Sequence, residues 1–229
     1  MNQQFTIIFD LDGTLIDTAP DLMTAHNHVM KKYGYKTKTT KEIRNLVGKG
    51  ASVLIGRSLW GSAKEEFAKI EDKKIKNEMV KEFISFYGKN ILNESSLING
   101  VERFLRWCKG KKISMGVCTN KQEHLAIDLL KKIKIYDYFE YVAGSDTFSY
   151  CKPDPRHVTN IIEILNGNIK KSLMIGDSET DANAAKSASI PMILLENGYT
   201  ERNTTEIYHD HLVKDFVELE KIVLKYIND

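Results

Sequence analysis

Two carboxylates stand two residues apart, directly after a short apolar run near the start of the chain. Residues 5–9 are apolar or β-branched, which is typical of a strand buried on both faces. Asp10 and Asp12 follow, and Gly13 permits a sharp turn at the carboxyl end of that strand, where open α/β sheets bind ligands. Buried acids need a cation or a proton, so this stretch predicts metal or proton chemistry. The alternative, for this stretch alone, is an acidic turn that closes a strand.

Other polar side chains follow strands predicted later in the chain. Thr119 and Asn120 offer a hydroxyl and backbone N–H groups, which suit an anion at the start of a helix. The alternative is that one of them only caps that helix. Lys152 stands next to Pro153, and a second proline at position 155 further restricts the backbone. A surface lysine in a turn is the alternative for Lys152.

A second acidic pair follows the strand predicted at residues 172–175, which leads through Gly176 to Asp177 and Asp181. Taken alone, Asp181 could be an acid that matches the positive end of a helix dipole. Together with Asp10 and Asp12, however, these acids supply the oxygen ligands that Mg²⁺ prefers. A lysine and a hydroxyl suit phosphoryl oxygens. The whole set therefore predicts metal-assisted chemistry on a phosphate group.

The order of the predicted elements brings these strand ends to one edge of a sheet. Helices are predicted at residues 21–33, 39–46, 51–60, 63–88, 101–109, 121–132, 155–165 and 179–188, with an amphipathic helix at the end of the chain. Strands are predicted at residues 5–9, 113–118, 139–142, 172–175 and 191–195. Strands that alternate with helices predict an α/β fold with a doubly wound parallel sheet. We expect a core domain of residues 1–15 and 96–229, and an inserted all-helical cap domain of residues 16–95. Residues 93–99 are polar and are predicted to form a linker.

Composition and charge exclude several classes of protein. The 229 residues are 42% hydrophobic and 28% charged, and a net charge of +2 is too small to indicate a nucleic-acid-binding protein. No apolar run approaches the roughly 18 residues that span a membrane, and no secretory signal precedes the first strand. Three cysteines without regular spacing indicate neither a disulfide framework nor a zinc site. We expect a cytoplasmic protein that binds neither nucleic acid nor membrane. Its oligomeric state does not follow from these patterns.

Four ordered motifs resemble those of the haloacid dehalogenase superfamily, phosphatase branch. They are Asp10-Leu-Asp12-Gly-Thr, Thr119-Asn120, Lys152-Pro153 and Gly176-Asp177-Ser-Glu-Thr-Asp181. The resemblance spans essentially the whole chain and implies a Rossmannoid core with a helical cap. Residues 17–21, 47–51 and 151–155 further resemble bacterial phosphoglycolate phosphatases. Lys49 stands where that resemblance leads us to expect asparagine between two glycines.

The resemblance implies a role for each of these residues in phosphate ester hydrolysis. Asp10 is expected to attack phosphorus and form an aspartyl-phosphate. Asp12 is expected to protonate the leaving oxygen and then to activate the water that hydrolyses the intermediate. Thr119 and Lys152 are expected to hold phosphoryl oxygens, with Asn120 beside them.

The same resemblance implies an Mg²⁺ site at the strand ends. Its expected ligands are the Asp10 carboxylate, the backbone carbonyl of Asp12 and the Asp177 carboxylate, with Asp181 acting through a coordinated water. The ion lowers the repulsion between the carboxylates and the phosphate.

The expected substrate is a small phosphorylated metabolite, with 2-phosphoglycolate as the first candidate. Lys49 lies between two glycines in the cap, so it is either a lysine that reaches the substrate carboxylate or an exposed loop lysine.

A pyrophosphatase, a nucleotide or sugar phosphatase and a phosphomutase of the same superfamily stay open as alternative functions. A phospho-acceptor signalling domain is the alternative from another class, but such domains are about half this length. A P-loop is excluded because Lys49 is followed by neither serine nor threonine.

Overall fold

A computed structural model of the chain describes residues 4–61 and 70–228. The strands in these ranges are β1 (Thr6–Phe9), β2 (Ile16–Asp17), β3 (Ser96–Leu97), β4 (Ser114–Cys118), β5 (Tyr141–Ala143), β6 (Ser172–Gly176), β7 (Met192–Leu195) and β8 (His211–Val213). The helices are α1 (Ala19–Lys32), α2 (Thr40–Arg44), α3 (Ala51–Trp60), α4 (Ile70–Lys89), α5 (Val101–Gly110), α6 (Glu123–Lys132), α7 (Pro155–Ile164), α8 (Glu179–Ser187) and α9 (Leu219–Asn228).

Six strands form one sheet in the order β5–β4–β1–β6–β7–β8, and every neighbouring pair is parallel. The predicted α/β class with a doubly wound parallel sheet is therefore confirmed. The sequence pattern does not predict β8. This edge strand has three residues, two of them half-buried, which is too short for a recognisable alternation.

β1 lies at the centre of the sheet, and all four of its residues are buried. Its side chains alternate between two cores, because Ile7 and Phe9 pack into the larger one and Ile8 into the smaller one. The ring of Phe9 packs against Phe104 and Phe216. Burial on both faces explains the continuous apolar run and holds the end of β1 in a defined position.

The helices α1–α4 pack against one another, with α4 in contact with both α1 and α3. β2 and β3 pair in antiparallel fashion at the two chain segments that lead into and out of these helices, so Ile16 lies opposite Leu97. The segment predicted as a polar linker at 93–99 contains the two-residue strand β3, which the sequence pattern does not predict. Two paired residues are too few to leave a periodic pattern in a sequence. The domain boundaries, 1–15 with 96–229 and 16–95, stay a prediction.

The predicted helices agree with the structure except at some ends. Thr39 caps α2 and forms a capping box with Glu42, as the spacing of the two residues predicts. The helix predicted from 121 begins instead at Glu123. The part of the predicted helix at 63–69, with Phe67, lies outside the described residues. Among the described helices, none combines the length and apolarity that crossing a bilayer requires.

Candidate active site

The ends of β1 and β6 bring the predicted acids together at the carboxyl edge of the sheet. Asp10 and Asp12 are 4% and 8% exposed, and the Asp10 N–H donates to the carbonyl of Ile175 at 2.9 Å. Gly13 has a φ of 82°, and a Cβ at this position would lie 2.1 Å from a carboxylate oxygen of Asp177. Glycine is therefore required here, because any side chain would displace the acid that follows β6.

Lys152 lies between two of the acids at the strand ends, Asp10 and Asp181. Its Nζ lies 2.7 Å from Asp10 Oδ1 and 2.6 Å from Asp181 Oδ1, and the residue is 3% exposed. Burial acts to lower the pKa of Lys152, but the charges of Asp10 and Asp181 outweigh burial and raise the pKa above its ordinary value. Lys152 is therefore a charged residue in the interior, and the alternative of a surface lysine is wrong.

Three acids form the acidic group of this site: carboxylate oxygens of Asp10, Asp177 and Asp181 lie within 4.8 Å of one another. Burial and the neighbouring Asp181 raise the pKa of Asp10 to about 7, against the opposing effect of Lys152. Burial and the neighbouring acids also raise the pKa of Asp177 well above its ordinary value. With all three acids ionised, one lysine would leave two negative charges uncompensated. Since the donors are carboxylate oxygens, the group fits a hard divalent cation such as Mg²⁺.

Asp181 has two structural tasks within this group. Its Oδ2 accepts hydrogen bonds from the N–H and the hydroxyl of Ser178 and forms the capping box of α8, whereas its Oδ1 contacts Lys152. The reading of Asp181 as an acid at a helix start is thus correct but incomplete. The same carboxylate also fixes the lysine that contacts Asp10.

Asp12 lies outside the group of three acids and has its own partners. Its Oδ1 accepts from the Thr18 hydroxyl at 2.7 Å and from Lys121 Nζ at 2.8 Å. Lys121 Nζ also donates to the hydroxyl of Tyr87, a residue of α4, at 3.2 Å. Sequence reasoning missed both Lys121 and Tyr87. The position of Lys121, directly after Thr119-Asn120, is the one signal that points to it.

Thr119 and Asn120 connect the strand ends rather than cap a helix. The Thr119 N–H donates to the carbonyl of Ala143 at the end of β5. Asn120 Nδ2 donates to the carbonyls of Lys152 and Gly48, both at 3.0 Å, and so bridges the core and the cap loop. Because α6 begins at Glu123, the alternative of a helix cap is wrong for both residues.

His157 supports the lysine segment from within the core. Its Nδ1 accepts from the backbone N–H of Lys152 at 3.1 Å, and the residue is fully buried. Burial and the charge of Lys152 lower the pKa of His157 to about 4, so its ring is neutral at physiological pH. The sequence offers no signal for this role, since a histidine two residues into a helix has many possible environments.

A cavity of about 290 Å³ opens beside Asp10 and Asp12, between the core and the helices α1, α3 and α4. Thr119, Asn120 and Lys121 form part of its wall. Lys49 lines the same cavity from the cap loop, with Gly48 and Gly50 on either side at φ 97° and 86°. Lys49 itself is exposed. The structure thus places Lys49 beside the site, and its contact with substrate stays a prediction.

Tyr199 links the acidic group to the start of α1. Its backbone N–H donates to Asp177 Oδ2 at 2.6 Å, and its hydroxyl donates to Asp17 Oδ1, also at 2.6 Å. The same hydroxyl accepts from the backbone N–H of Ala19 at 2.8 Å. Sequence reasoning missed Tyr199, because the two partners of its hydroxyl, Asp17 and Ala19, lie 182 and 180 residues away in the chain.

Comparison with known proteins agrees with this geometry. The model of the haloacid dehalogenase-like hydrolase family matches residues 7–195. The phosphoglycolate phosphatase of Agrobacterium fabrum is 37% identical over 223 residues, which cover 95% of this chain and 94% of that protein. The phosphoglycolate phosphatase of Mesorhizobium japonicum is 36% identical over 211 residues, which cover 92% of this chain and 90% of that protein.

Among solved structures, a predicted phosphoglycolate phosphatase from Haemophilus somnus superimposes with a TM-score of 0.88 at 27% identity. The match covers 97% of this chain and 99% of that chain. Motifs, sheet order and relatives all agree: this chain belongs to the family of haloacid dehalogenase-like hydrolases.

Proposed function

We propose that this chain is a phosphoric monoester hydrolase that forms an aspartyl-phosphate on Asp10. The observation that carries the proposal is the position of the Asp10 carboxylate, which lies at the cavity wall with Lys152 at 2.7 Å and Thr119 nearby in the same wall. A carboxylate that is fixed beside a buried cation suits in-line attack on a phosphoryl group. The relatives named phosphoglycolate phosphatase support this activity.

Lys152 and Thr119 are proposed to hold the phosphoryl oxygens. The ammonium of Lys152 is held by Asp10 and Asp181, so it needs no reorganisation when negative charge develops on phosphorus. Asn120 is proposed to keep the lysine segment and the cap loop in register through its two carbonyl contacts.

Asp12 is proposed as the general acid and base. Thr18 and Lys121 both contact its Oδ1, and in the described part of the chain no donor contacts its Oδ2. Oδ2 is therefore the oxygen that can give a proton to the leaving group and later take one from the attacking water.

Mg²⁺ is the proposed cofactor. Asp10, the backbone carbonyl of Asp12 and Asp177 would hold it, with Asp181 behind a coordinated water. When bound, the ion offsets the charge of the acidic group and of the phosphate. The uncompensated charge of Asp10, Asp177 and Asp181 supports this assignment.

The proposed substrate is 2-phosphoglycolate, a small phosphate ester. The names of the relatives support it, and so do the two lysines, Lys49 and Lys121, that line the cavity. We further propose the core and cap domains at the limits predicted from the sequence. The cytoplasmic location and the absence of nucleic acid partners stay predictions.

The test is phosphate release from a panel of phosphorylated metabolites, with wild type and Asp10→Asn. We expect wild type to hydrolyse 2-phosphoglycolate in the presence of Mg²⁺ and to lose activity when a chelator removes the ion. Asp10→Asn is expected to fold and to be inactive, because an amide cannot form the acyl-phosphate. Asp128→Asn, an equal charge change on the surface of α6, is the control that should stay active. Substantial turnover by folded Asp10→Asn would contradict the proposal.

A further inference from the structure

Lys121 is a buried cation whose position the phosphoryl chemistry does not explain. Its side chain is 5% exposed, and its Nζ lies 2.8 Å from Asp12 Oδ1. The same Nζ lies 3.2 Å from the hydroxyl of Tyr87 and 4.6 Å from the centre of its ring. Lys152 already supplies the charge that contacts Asp10. A second buried ammonium beside the proposed general acid therefore needs its own reason, because burying an ammonium group is costly.

The ammonium of Lys121 has a donor available for a ligand. It carries three N–H groups, of which one is directed to Asp12 and one to Tyr87. Within the described residues no third acceptor lies at hydrogen-bond distance. Lys121 forms part of the cavity wall, so the third donor is available to a molecule in the cavity.

The remainder of the cavity favours this lysine as the site of an anionic group. The wall beyond the two acids is largely apolar and includes Leu22, Leu54, Val80, Phe83, Ile84 and Leu125. Lys49 and Lys121 are the cations among the described lining residues, and Lys49 is exposed whereas Lys121 is buried. A hydrogen bond to a charged donor is stronger where water is excluded, so the buried ammonium is the better partner for an anion.

We propose that Lys121 is the specificity-determining residue that binds an anionic group on the leaving group of the ester, as the carboxylate of 2-phosphoglycolate would be. This inference rests on the proposed function and on Asp12 as the leaving-group acid. Asp12 Oδ1 contacts Lys121, and if Asp12 Oδ2 gives its proton to the ester oxygen, the ammonium would lie near the atoms next to that oxygen. A carboxylate two bonds from the ester oxygen is within its reach. A neutral leaving group gains nothing from this contact.

A purely structural role is the competing explanation, in which Lys121 only neutralises Asp12. The two roles differ in their dependence on the substrate. Neutralising Asp12 affects every ester alike, whereas binding a carboxylate affects only esters that carry one. The experiment therefore compares 2-phosphoglycolate with the phosphate ester of glycolamide, which has the same size and the same ester bond but no carboxylate charge.

The measured quantity is kcat/KM for each ester, in wild type, Lys121→Met, Lys121→Arg and Lys49→Met, with folding checked by circular dichroism. We expect Lys121→Met to lower the ratio of kcat/KM for the acid to that for the amide by about 10- to 100-fold, the usual worth of a hydrogen bond to a charged group. Lys121→Arg should recover part of that ratio. A ratio unchanged in Lys121→Met would overturn the inference, while activity of wild type on both esters would leave the proposed function intact. If wild type hydrolyses neither ester, both the inference and the proposed function are overturned.

A second measurement needs no change at Lys121. Glycolate is expected to inhibit wild type more strongly than glycolamide, and the difference is expected to persist in Lys49→Met. Equal inhibition by the two compounds, or loss of the difference in Lys49→Met, would overturn the assignment to Lys121.

Discussion

Asp10 and Asp12 are two residues apart, yet their surroundings differ. Asp10 contacts Lys152, and its burial together with the neighbouring Asp181 raises its pKa to about 7. Asp12 lies outside that group and is held through one oxygen by Thr18 and Lys121. Two carboxylates with separate partners can perform separate tasks, one as nucleophile and the other as acid and base.

Asp12→Asn is expected to separate the two half-reactions. With an aryl phosphate, whose leaving group needs no proton, it should show a burst of leaving group and accumulate phosphoenzyme on Asp10. With 2-phosphoglycolate the burst should be small, because an alkoxide needs the acid and general acid catalysis is worth about 100- to 10,000-fold. Rapid-quench kinetics with mass spectrometry of the peptide that contains Asp10 measures both. Equal bursts with the two substrates would mean that Asp12 is not the leaving-group acid.

At the scale of elements, several contacts of the described residues join the helices α1–α4 to the core, and three of them involve Asn120, Arg57 and Tyr199. Asn120 donates to the carbonyl of Gly48, and Arg57 on α3 forms an ion pair with Glu201. The Tyr199 hydroxyl bonds to Asp17 and to the first turn of α1. All three contacts lie near the strand ends. The position of the helices α1–α4 is thus set at the edge of the sheet where the acids lie.

Tyr199→Phe is expected to weaken this junction without changing the acidic group. It removes the hydroxyl and leaves the Asp17 carboxylate and the Ala19 N–H without that partner, at a cost of about 1–3 kcal/mol in the free energy of unfolding. The backbone N–H that donates to Asp177 remains, so the Mg²⁺ concentration for half-maximal activity should stay that of wild type. Urea denaturation and an Mg²⁺ titration measure the two quantities.

Tyr208→Phe is the matched control for this change. Its hydroxyl lies on the surface and makes a long contact of 3.4 Å with Asp210, so its loss should leave the unfolding free energy unchanged. A similar loss in both variants, or a shifted Mg²⁺ requirement in Tyr199→Phe, would contradict the assigned role.

For the molecule as a whole, the acidic group is a local source of instability that the rest of the fold must offset. Asp10, Asp177 and Asp181 are each less than 5% exposed and share one buried lysine. Two apolar cores on either side of the sheet provide the compensating free energy. A bound cation would reduce the cost of burying these three acids.

The free energy of unfolding is expected to reflect this cost in its dependence on pH. The folded protein keeps a proton on Asp10 up to about pH 7, whereas the unfolded chain releases it near 3.8. The contribution of Asp10 to stability in a chelator therefore falls as pH rises through this window, by about 4 kcal/mol at most. His157 acts in the opposite direction, since its lowered pKa favours the folded state as pH rises from 4 to 6.5.

Comparison of wild type with Asp10→Asn removes the contribution of His157. We expect Asp10→Asn to gain stability relative to wild type between pH 5 and pH 8 in a chelator. Mg²⁺ at 100 times its dissociation constant should raise the free energy of unfolding of wild type by about 2.7 kcal/mol. Urea denaturation at the two pH values, with and without Mg²⁺, measures the difference. A constant difference between the variants would mean that Asp10 titrates as an ordinary carboxyl.

The sequence by itself determined the fold class and the position of the acids. Apolar runs that end in Asp10 and Asp177, and in Thr119, predict parallel strands, and the carboxyl ends of parallel strands meet at one edge whatever the order of the strands. Local patterns suffice for this, because side-chain periodicity and turn residues act over a few positions. The capping box of Thr39 and Glu42 is a further feature of this local kind.

Only the tertiary structure decided which partner each site residue has. The contact of Lys121 with Asp12 joins residues that are far apart in the chain, and so does the contact of Tyr199 with Asp17. The pairing of β2 with β3 likewise depends on where the helices between them return. Such contacts follow from the packing of whole elements and leave no periodic signal in the chain. The identity of the cation beside Asp12 is therefore a property of the fold, which brings Lys121 rather than another lysine to this carboxylate.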